Sequence, residues 1–311
     1  MDQSFKSEIV VSSDRVYHLG LQKGQLAPNI FLVGDPARCY KIAAHFENIQ
    51  HEVKHREYVT LTGSYQGIPV SVIGTGIGTD NVEIALVEIY TLFEFDFKTA
   101  ERISEHPTVN FIRIGTSGGI QSDIPAGTMG IASFALGMDS TGLYYDHAPV
   151  HPFISRIEIM ATEILEAATP DTARFKGKIP LYAAMADPLI TATLIEEAKK
   201  ENIPFVSGIT ASSPGFYGPS ARYIEGLNNT VPHVKQVLAQ FNMEGLRIIN
   251  MEMESSILFH LCSQLGYRAG TICPVISNPS SSADIVDYDK TIQQAISIGL
   301  GAMKNIAGSD S

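Results

Sequence analysis

Arg113 sits inside an otherwise apolar run, Phe111-Ile112-Arg113-Ile114, which opens into the small-residue turn Gly115-Thr116-Ser117-Gly118-Gly119. A guanidinium in a buried strand is costly unless an anion or a carboxylate pairs with it. The turn adds two hydroxyls, and its glycines let a ligand approach the backbone. These residues suit an anion site, and they also fit a structural salt bridge. Gly34-Asp35-Pro36-Ala37-Arg38 makes a second candidate. Asp35 is a good N-cap, Pro36 a good first helical residue, and the unpaired N–H groups beside Arg38 favour an anion such as phosphate. Taken alone, the same residues describe a capped helix with a surface arginine.

Carboxylates and aromatics supply the remaining chemistry. Asn250-Met251-Glu252-Met253-Glu254 closes a strand, and an extended chain would turn Glu252 and Glu254 to one face. There they can accept hydrogen bonds from sugar hydroxyls, with Met253 as adaptable apolar surface. Glu252 also fits a strand end facing solvent. Neighbouring carboxylates on one strand cannot flank a glycosidic bond from opposite sides, which argues against a two-carboxylate glycosidase. The segment 213–223 surrounds Phe216, Tyr217 and Arg222 with turn formers. Phe216 could stack on a planar base and Arg222 could donate to its carbonyl oxygens, although a plain surface loop fits as well. Gly74-Thr75-Gly76-Ile77-Gly78 resembles a dinucleotide fingerprint but brings its third glycine one residue early, so it reads as a close-packed turn near the ligand. Asp80 and Glu83 read as a helix-capping pair.

Two other chemistries are weak. Gly115-Thr116-Ser117-Gly118-Gly119 matches the G-x-S-x-G elbow of α/β-hydrolases, but the following residues make a poor helix, and His260 falls within a predicted helix rather than a late loop. The nine histidines and three scattered cysteines show no zinc spacing.

Strands are predicted over 29–33, 58–65, 69–73, 110–114, 128–134, 180–185, 204–209, 246–251 and 268–276. Helices are predicted over 36–46, 81–93, 154–168, 192–201, 232–241, 254–265 and 288–305. Alternating apolar strands and helix-period segments indicate an α/β fold with a largely buried sheet. Segments 95–107 and 278–287 read as loops. Neither a repeat nor a linker interrupts the 311 residues, which fit one domain. A formal net charge of −11 argues against nucleic acid or an anionic membrane as the main partner. The cysteines suit a reducing compartment, and no signal-peptide core or membrane-length apolar run is present, so a cytoplasmic location is expected.

In order along the chain, these segments resemble the nucleoside phosphorylase-I family, most closely its uridine phosphorylases. The match runs through Tyr17-His18-Leu19-Gly20-Leu21, Gly34 to Arg38, His55-Arg56-Glu57-Tyr58, Thr75 to Gly78, Arg113 to Gly118, Ile209 to Ser213, Phe216-Tyr217 and Glu252 to Ser255. The resemblance implies a single-domain, three-layer α/β/α architecture around a twisted mixed sheet, phosphorylase/hydrolase-like, spanning 1–311. It implies phosphate held by Gly34, Arg38, Arg56, Arg113 and Thr116, with Arg113, Thr116 and Arg222 carrying catalysis. Ribose would meet His18, Met253 and Glu254; the base would meet Ser117, Gly118, Phe216, Ser220 and Arg222. His18 and Arg56 would be lent to a neighbouring subunit, making the functional unit a dimer or hexamer. No cofactor is implied, inorganic phosphate being a co-substrate, and no metal beyond a monovalent cation near Glu57, Ile77 and Asn81, where Asn81 replaces the family's serine.

Two departures bear on the base. Ser220 stands where uridine-cleaving members carry a glutamine that grips the uracil edge, and serine has fewer donor and acceptor sites. Asn278 stands where purine-cleaving members place a proton-donating aspartate, and Pro279 replaces a closing-loop arginine. The expectation is phosphorolysis of uridine in pyrimidine salvage. The alternatives are a purine nucleoside phosphorylase acting on inosine or guanosine, and a nucleoside-binding protein without turnover.

Overall fold

The computed structural model describes residues 6–220, 222–278 and 286–309. In chain order the elements are β1 (Val11–Ser12), β2 (Arg15–Val16), β3 (Asn29–Val33), α1 (Pro36–Ala43), β4 (Asn48–His55), β5 (Tyr58–Tyr65), β6 (Ile68–Gly74), α2 (Thr79–Glu94), β7 (Asn110–Ile114), β8 (Ser117–Gly119) and β9 (Met129–Gly137). There follow α3 (Pro152–Ala168), β10 (Tyr182–Met185), α4 (Pro188–Lys200), β11 (Phe205–Ser212), α5 (Val234–Leu238), β12 (Asn242–Met243), β13 (Leu246–Glu252), α6 (Ser255–Leu265), β14 (Arg268–Ser277) and α7 (Tyr288–Ser309).

One twisted, mixed sheet runs in the order β10-β9-β11-β13-β8-β14-β7-β3-β6-β5-β4, with β12 beside β13. Strands β14, β7, β3 and β6 are mutually parallel. The start of β9 also pairs antiparallel with β14, so β9, β11, β13, β8 and β14 close on themselves. Strands β3 and β7 are buried at every residue, as expected of parallel strands covered on both faces. Alternation along β3 divides its side chains between two cores. Ile30 and Leu32 pack with Val82 and Leu86 of α2 and Leu258 of α6. Phe31 and Val33 pack with Ile42 of α1, Leu194 of α4 and Ile296 of α7. A third core joins Ile157 of α3 and Leu238 of α5 to Ile209 and Ile248. The three-layer α/β/α expectation is met.

The same alternation fixes Arg113. It shares the parity of Phe111, which belongs to the α2/α6 core, so its side chain leaves β7 toward the start of α6. The Asp80/Glu83 capping pair does not form. Gly78 is the N-cap of α2 and has no side chain to cap it, while Glu83 accepts a hydrogen bond from the Tyr145 hydroxyl. Segment 95–107 carries only an isolated bridge between Phe95 and Arg102. Most of the predicted loop at 278–287, Pro279 included, lies outside the described residues.

Candidate active site

The turns after β3, β7, β11 and β13 open onto one cavity of about 630 Å³, within the range that holds a small ligand. At one end, Asp35 caps α1 by accepting from the Ala37 N–H at 2.9 Å, with Pro36 in the first turn. That cap sets Arg38 one turn into the helix. Arg38 is 5% exposed, and its guanidinium donates to the Ile114 carbonyl at 2.9 Å and to the Tyr288 hydroxyl at 3.0 Å. The end of β7 and the start of α7 therefore hold it in one pose.

Arg113, also 5% exposed, is bracketed by two carboxylates. Its Nη2 bonds Glu254 Oε2, and its Nη1 lies 3.3 Å from Glu252 Oε2 and 3.2 Å from Cys273 Sγ. Burial works against a charged guanidinium, but Glu254 and Glu252 outweigh it and hold Arg113 above its ordinary value. A Cβ on Gly115 would collide with the Arg113 guanidinium and Cys273 Sγ, so this turn requires glycine for the arginine to fold back over it. Burial pushes the Cys273 thiol up to about 12, which keeps it protonated and poorly nucleophilic.

Glu252 does not face solvent. It is 5% exposed, and its carboxylate accepts from the Ser212 hydroxyl at 2.6 Å and from the backbone N–H groups of Glu254 and Ser255 at 3.0 Å. It thus satisfies donors at the start of α6. Glu254, 3% exposed, accepts the Gly78 N–H at 2.8 Å. Gly78 has a φ of 106°, a left-handed conformation suited to glycine, and this brings the 74–78 turn against the ligand cavity. Burial raises the Glu254 carboxyl; Arg113 counteracts that and Glu252 adds to it.

Ser117, Gly118, Phe216, Ser220, Arg222 and Lys235 also line the cavity. The Arg222 guanidinium lies 3.6 Å over the Phe216 ring and donates to the Phe216 carbonyl at 2.6 Å. The Ser220 hydroxyl is engaged within its own loop, donating to the Gly215 carbonyl at 2.6 Å and lying 2.9 Å from the Ser213 hydroxyl. Ser117 occupies no hydrolase elbow. It begins a strand, accepts from Asn250 Nδ2 at 2.9 Å, and lies 3.2 Å from the Cys273 and Pro274 carbonyls. His260 meets the Tyr145 carbonyl instead, at 2.7 Å.

Residues 28–303 match the family model described as the phosphorylase superfamily. The chain belongs to that superfamily. A uridine phosphorylase of Treponema pallidum (strain Nichols) is 32% identical across 98% of this chain and 99% of its own. Another, from Escherichia coli (strain K12), is 31% identical across 86% of this chain and 88% of its own. A solved Trypanosoma brucei nucleoside phosphorylase, described as showing uridine phosphorylase activity, superposes with a TM-score of 0.84 at 28% identity, covering 96% of this chain and 100% of that one.

This superfamily member brings Gly34, Arg38, Arg113, Thr116, Ser117, Gly118, Phe216, Ser220, Arg222, Met253 and Glu254 to one cavity. It does not bring His18 or Arg56 there. Arg56, with a φ of 52°, donates to the Tyr17 hydroxyl at 2.8 Å and lies 4.6 Å over the Tyr17 ring. His18 Nδ1 meets Glu88 Oε1 at 2.7 Å. Ile77 lines the cavity and its carbonyl accepts from Asn81 at 3.4 Å, while Glu57 is exposed beside Arg56. Among the described residues no three His, Cys, Asp or Glu side chains cluster to hold a metal, and no helix is long and apolar enough to cross a membrane. Asn278 turns from the cavity, its amide donating to the Gln121 and Ile124 carbonyls at 2.8 and 2.7 Å. Lys235 and Tyr288 line the cavity without having been singled out in the sequence. They stand in segments whose only visible signal was helical periodicity.

Proposed function

We propose that this chain catalyses the phosphorolysis of uridine, yielding uracil and ribose 1-phosphate, with inorganic phosphate as co-substrate and no cofactor. One observation carries the reading: the buried Arg113 opens onto the same cavity as Arg38 while bonding Glu254, so two guanidinium groups adjoin a buried carboxylate, which supports an anion cradle beside a sugar-binding group. The uridine phosphorylases similar to this chain over most of its length support the choice of base.

Phosphate occupies the end formed by Gly34, Arg38, Arg113 and Thr116. Glu254 accepts from the ribose hydroxyls and Met253 packs under the sugar. The base lies along Gly118 and Phe216, with Arg222 at its carbonyl edge. Departure of uracil leaves an oxocarbenium-like ribosyl cation, which phosphate attacks from the opposite face. Fixed charges and proximity supply the acceleration, and no covalent nucleophile is needed. That Arg56 and His18 lie outside their own chain's cavity supports the reading that they serve the site of a neighbouring copy, with a working unit of at least a dimer.

Uracil release from uridine, followed with and without phosphate, tests the reading. Strict dependence on phosphate is expected; equal release without it would make the protein a hydrolytic nucleosidase. A clear preference for inosine over uridine in kcat/KM would overturn the base assignment.

A further inference from the structure

Lys235 is a cation that no recognised motif contains. It rises from α5 into the base end of the cavity, which Arg222 also lines. Its ammonium lies directly above Gly118: a Cβ built there would approach Lys235 Nζ to 3.1 Å. Glycine at 118 therefore leaves the ammonium room over the cavity floor. Among the described residues no carboxylate lies within 4.0 Å of Lys235. Partial burial, together with the Arg222 guanidinium, holds its pKa below the ordinary lysine value.

Two like charges beside one cavity, without a counter-carboxylate, are unfavourable until an electron-rich group arrives. The phosphate end is differently built, because both of its arginines already have protein partners. Ser220 cannot supply the missing contact, since its hydroxyl is directed at Gly215. Arg222 spends part of its guanidinium on the Phe216 carbonyl. Lys235, whose ammonium has no hydrogen bond or ion pair among the described residues, adds a full donor to what remains of the Arg222 guanidinium.

We propose that Lys235 is a leaving-group residue: its ammonium donates to a carbonyl oxygen of the pyrimidine and stabilises the negative charge that the ring takes up as the glycosidic bond breaks. The bonding electrons pass to the base, phosphate forms the new bond at the anomeric carbon, and Lys235 keeps its proton while donating to the oxygen. This inference rests on the phosphorolytic reading of the same cavity and adds to it the group that replaces the absent glutamine.

The test uses Lys235→Met, which keeps the apolar stem, and Lys235→Arg, which keeps the charge. Uridine and 5-fluorouridine are compared at saturating phosphate, fluorine making the departing base a weaker base. The Met variant is expected to lose roughly 10- to 100-fold in kcat/KM on uridine, the value of a charge-assisted hydrogen bond. It should lose several-fold less on 5-fluorouridine and retain the wild-type KM for phosphate. The Arg variant should recover much of the loss. An equal loss on both substrates, or Met-variant activity within about twofold of wild type, overturns the role. Wild-type protein that releases no uracil under phosphate defeats the phosphorolytic reading itself. Calorimetric titration with uracil then decides the contact separately: weaker binding by the Met variant supports it, and unchanged binding overturns it.

Discussion

Arg113, Glu252 and Glu254 place one positive and two negative groups in a buried site, and each carboxylate has further donors to satisfy it. Glu252 is tied to Ser212 and the α6 backbone, and Glu254 to Gly78. Such a cluster tolerates the loss of its cation poorly. Arg113→Met should leave two carboxylates buried without a counter-charge, at a cost of about 3–5 kcal/mol in unfolding free energy. Denaturant titration reads that loss, and phosphate-dependent turnover should vanish with it; a variant of wild-type stability and activity would mean the guanidinium does neither task. The carboxylates also set a pH dependence. In the proposed site Glu254 would accept sugar hydroxyls, best when ionised, and burial with Glu252 beside it raises its pKa. Uridine binding should therefore weaken as pH falls through that raised value. Glu252→Gln removes the like charge and lowers the Glu254 pKa, so the acid limb should move to lower pH. Equilibrium binding of uridine without phosphate keeps the titration of phosphate out of the measurement; a limb that stays put or moves upward would contradict the assignment.

The elements show what sequence reasoning could reach and what it could not. Strands 29–33 and 110–114 were legible to the residue because their apolar runs stop at Gly34 and Gly115, and 58–65 because its β-branched and aromatic residues run up to the turn at Gln66-Gly67. The β3–α1 turn was legible through Asp35 and Pro36, whose geometries leave few alternatives. Strand β4 was not, because Asn48–His55 is an edge strand with polar, mostly exposed side chains, held by backbone pairing to β5. Strand β8 was missed for a related reason: Ser117–Gly119 has almost no side chains to pattern, and its pairing with Met251 and Asn250 joins residues far apart in the chain. Side chains lining the cavity were legible where glycine, arginine and carboxylate types coincided, and illegible at Lys235 and Tyr288, which act only through position. The inward role of Glu252 was also hidden, since a strand-end carboxylate gives no sign of the helix donors it will meet. The β7–β8 turn offers the sharpest test at this scale. Gly115→Ala introduces no left-handed backbone problem, so its cost falls on Arg113, whose guanidinium its methyl would displace. Turnover should drop by about 100-fold, the effect of a misplacement near 1 Å. Phosphate titration of the initial rate would report it; an unchanged rate would show that Arg113 can relocate at no cost.

Across the whole molecule, cations are scarce and placed with purpose. The formal charge is −11, yet the cavity gathers Arg38, Arg113, Arg222 and Lys235. Arg56 stands apart with Tyr17 and His18, whose rings meet edge to face at 4.9 Å. Glu88 fixes His18 through its ring and backbone, and Arg56 is fixed on Tyr17. These contacts hold both side chains outside their own chain's cavity. If they complete the site of a neighbouring copy, two inactive variants can rescue each other. Arg56→Ala removes the lent group and Arg113→Ala the resident one. In a mixed dimer one site combines the intact Arg113 of one chain with the intact Arg56 of the other, while the second site loses both. Co-refolding equal amounts should therefore restore about a quarter of wild-type activity, half the dimers being mixed and each carrying one working site, as follows from two-fold symmetry. Each variant alone should remain inactive, and mixing without subunit exchange should restore nothing. Activity that stays at the level of the separate variants after verified exchange would place Arg56 in its own chain's chemistry or outside it altogether.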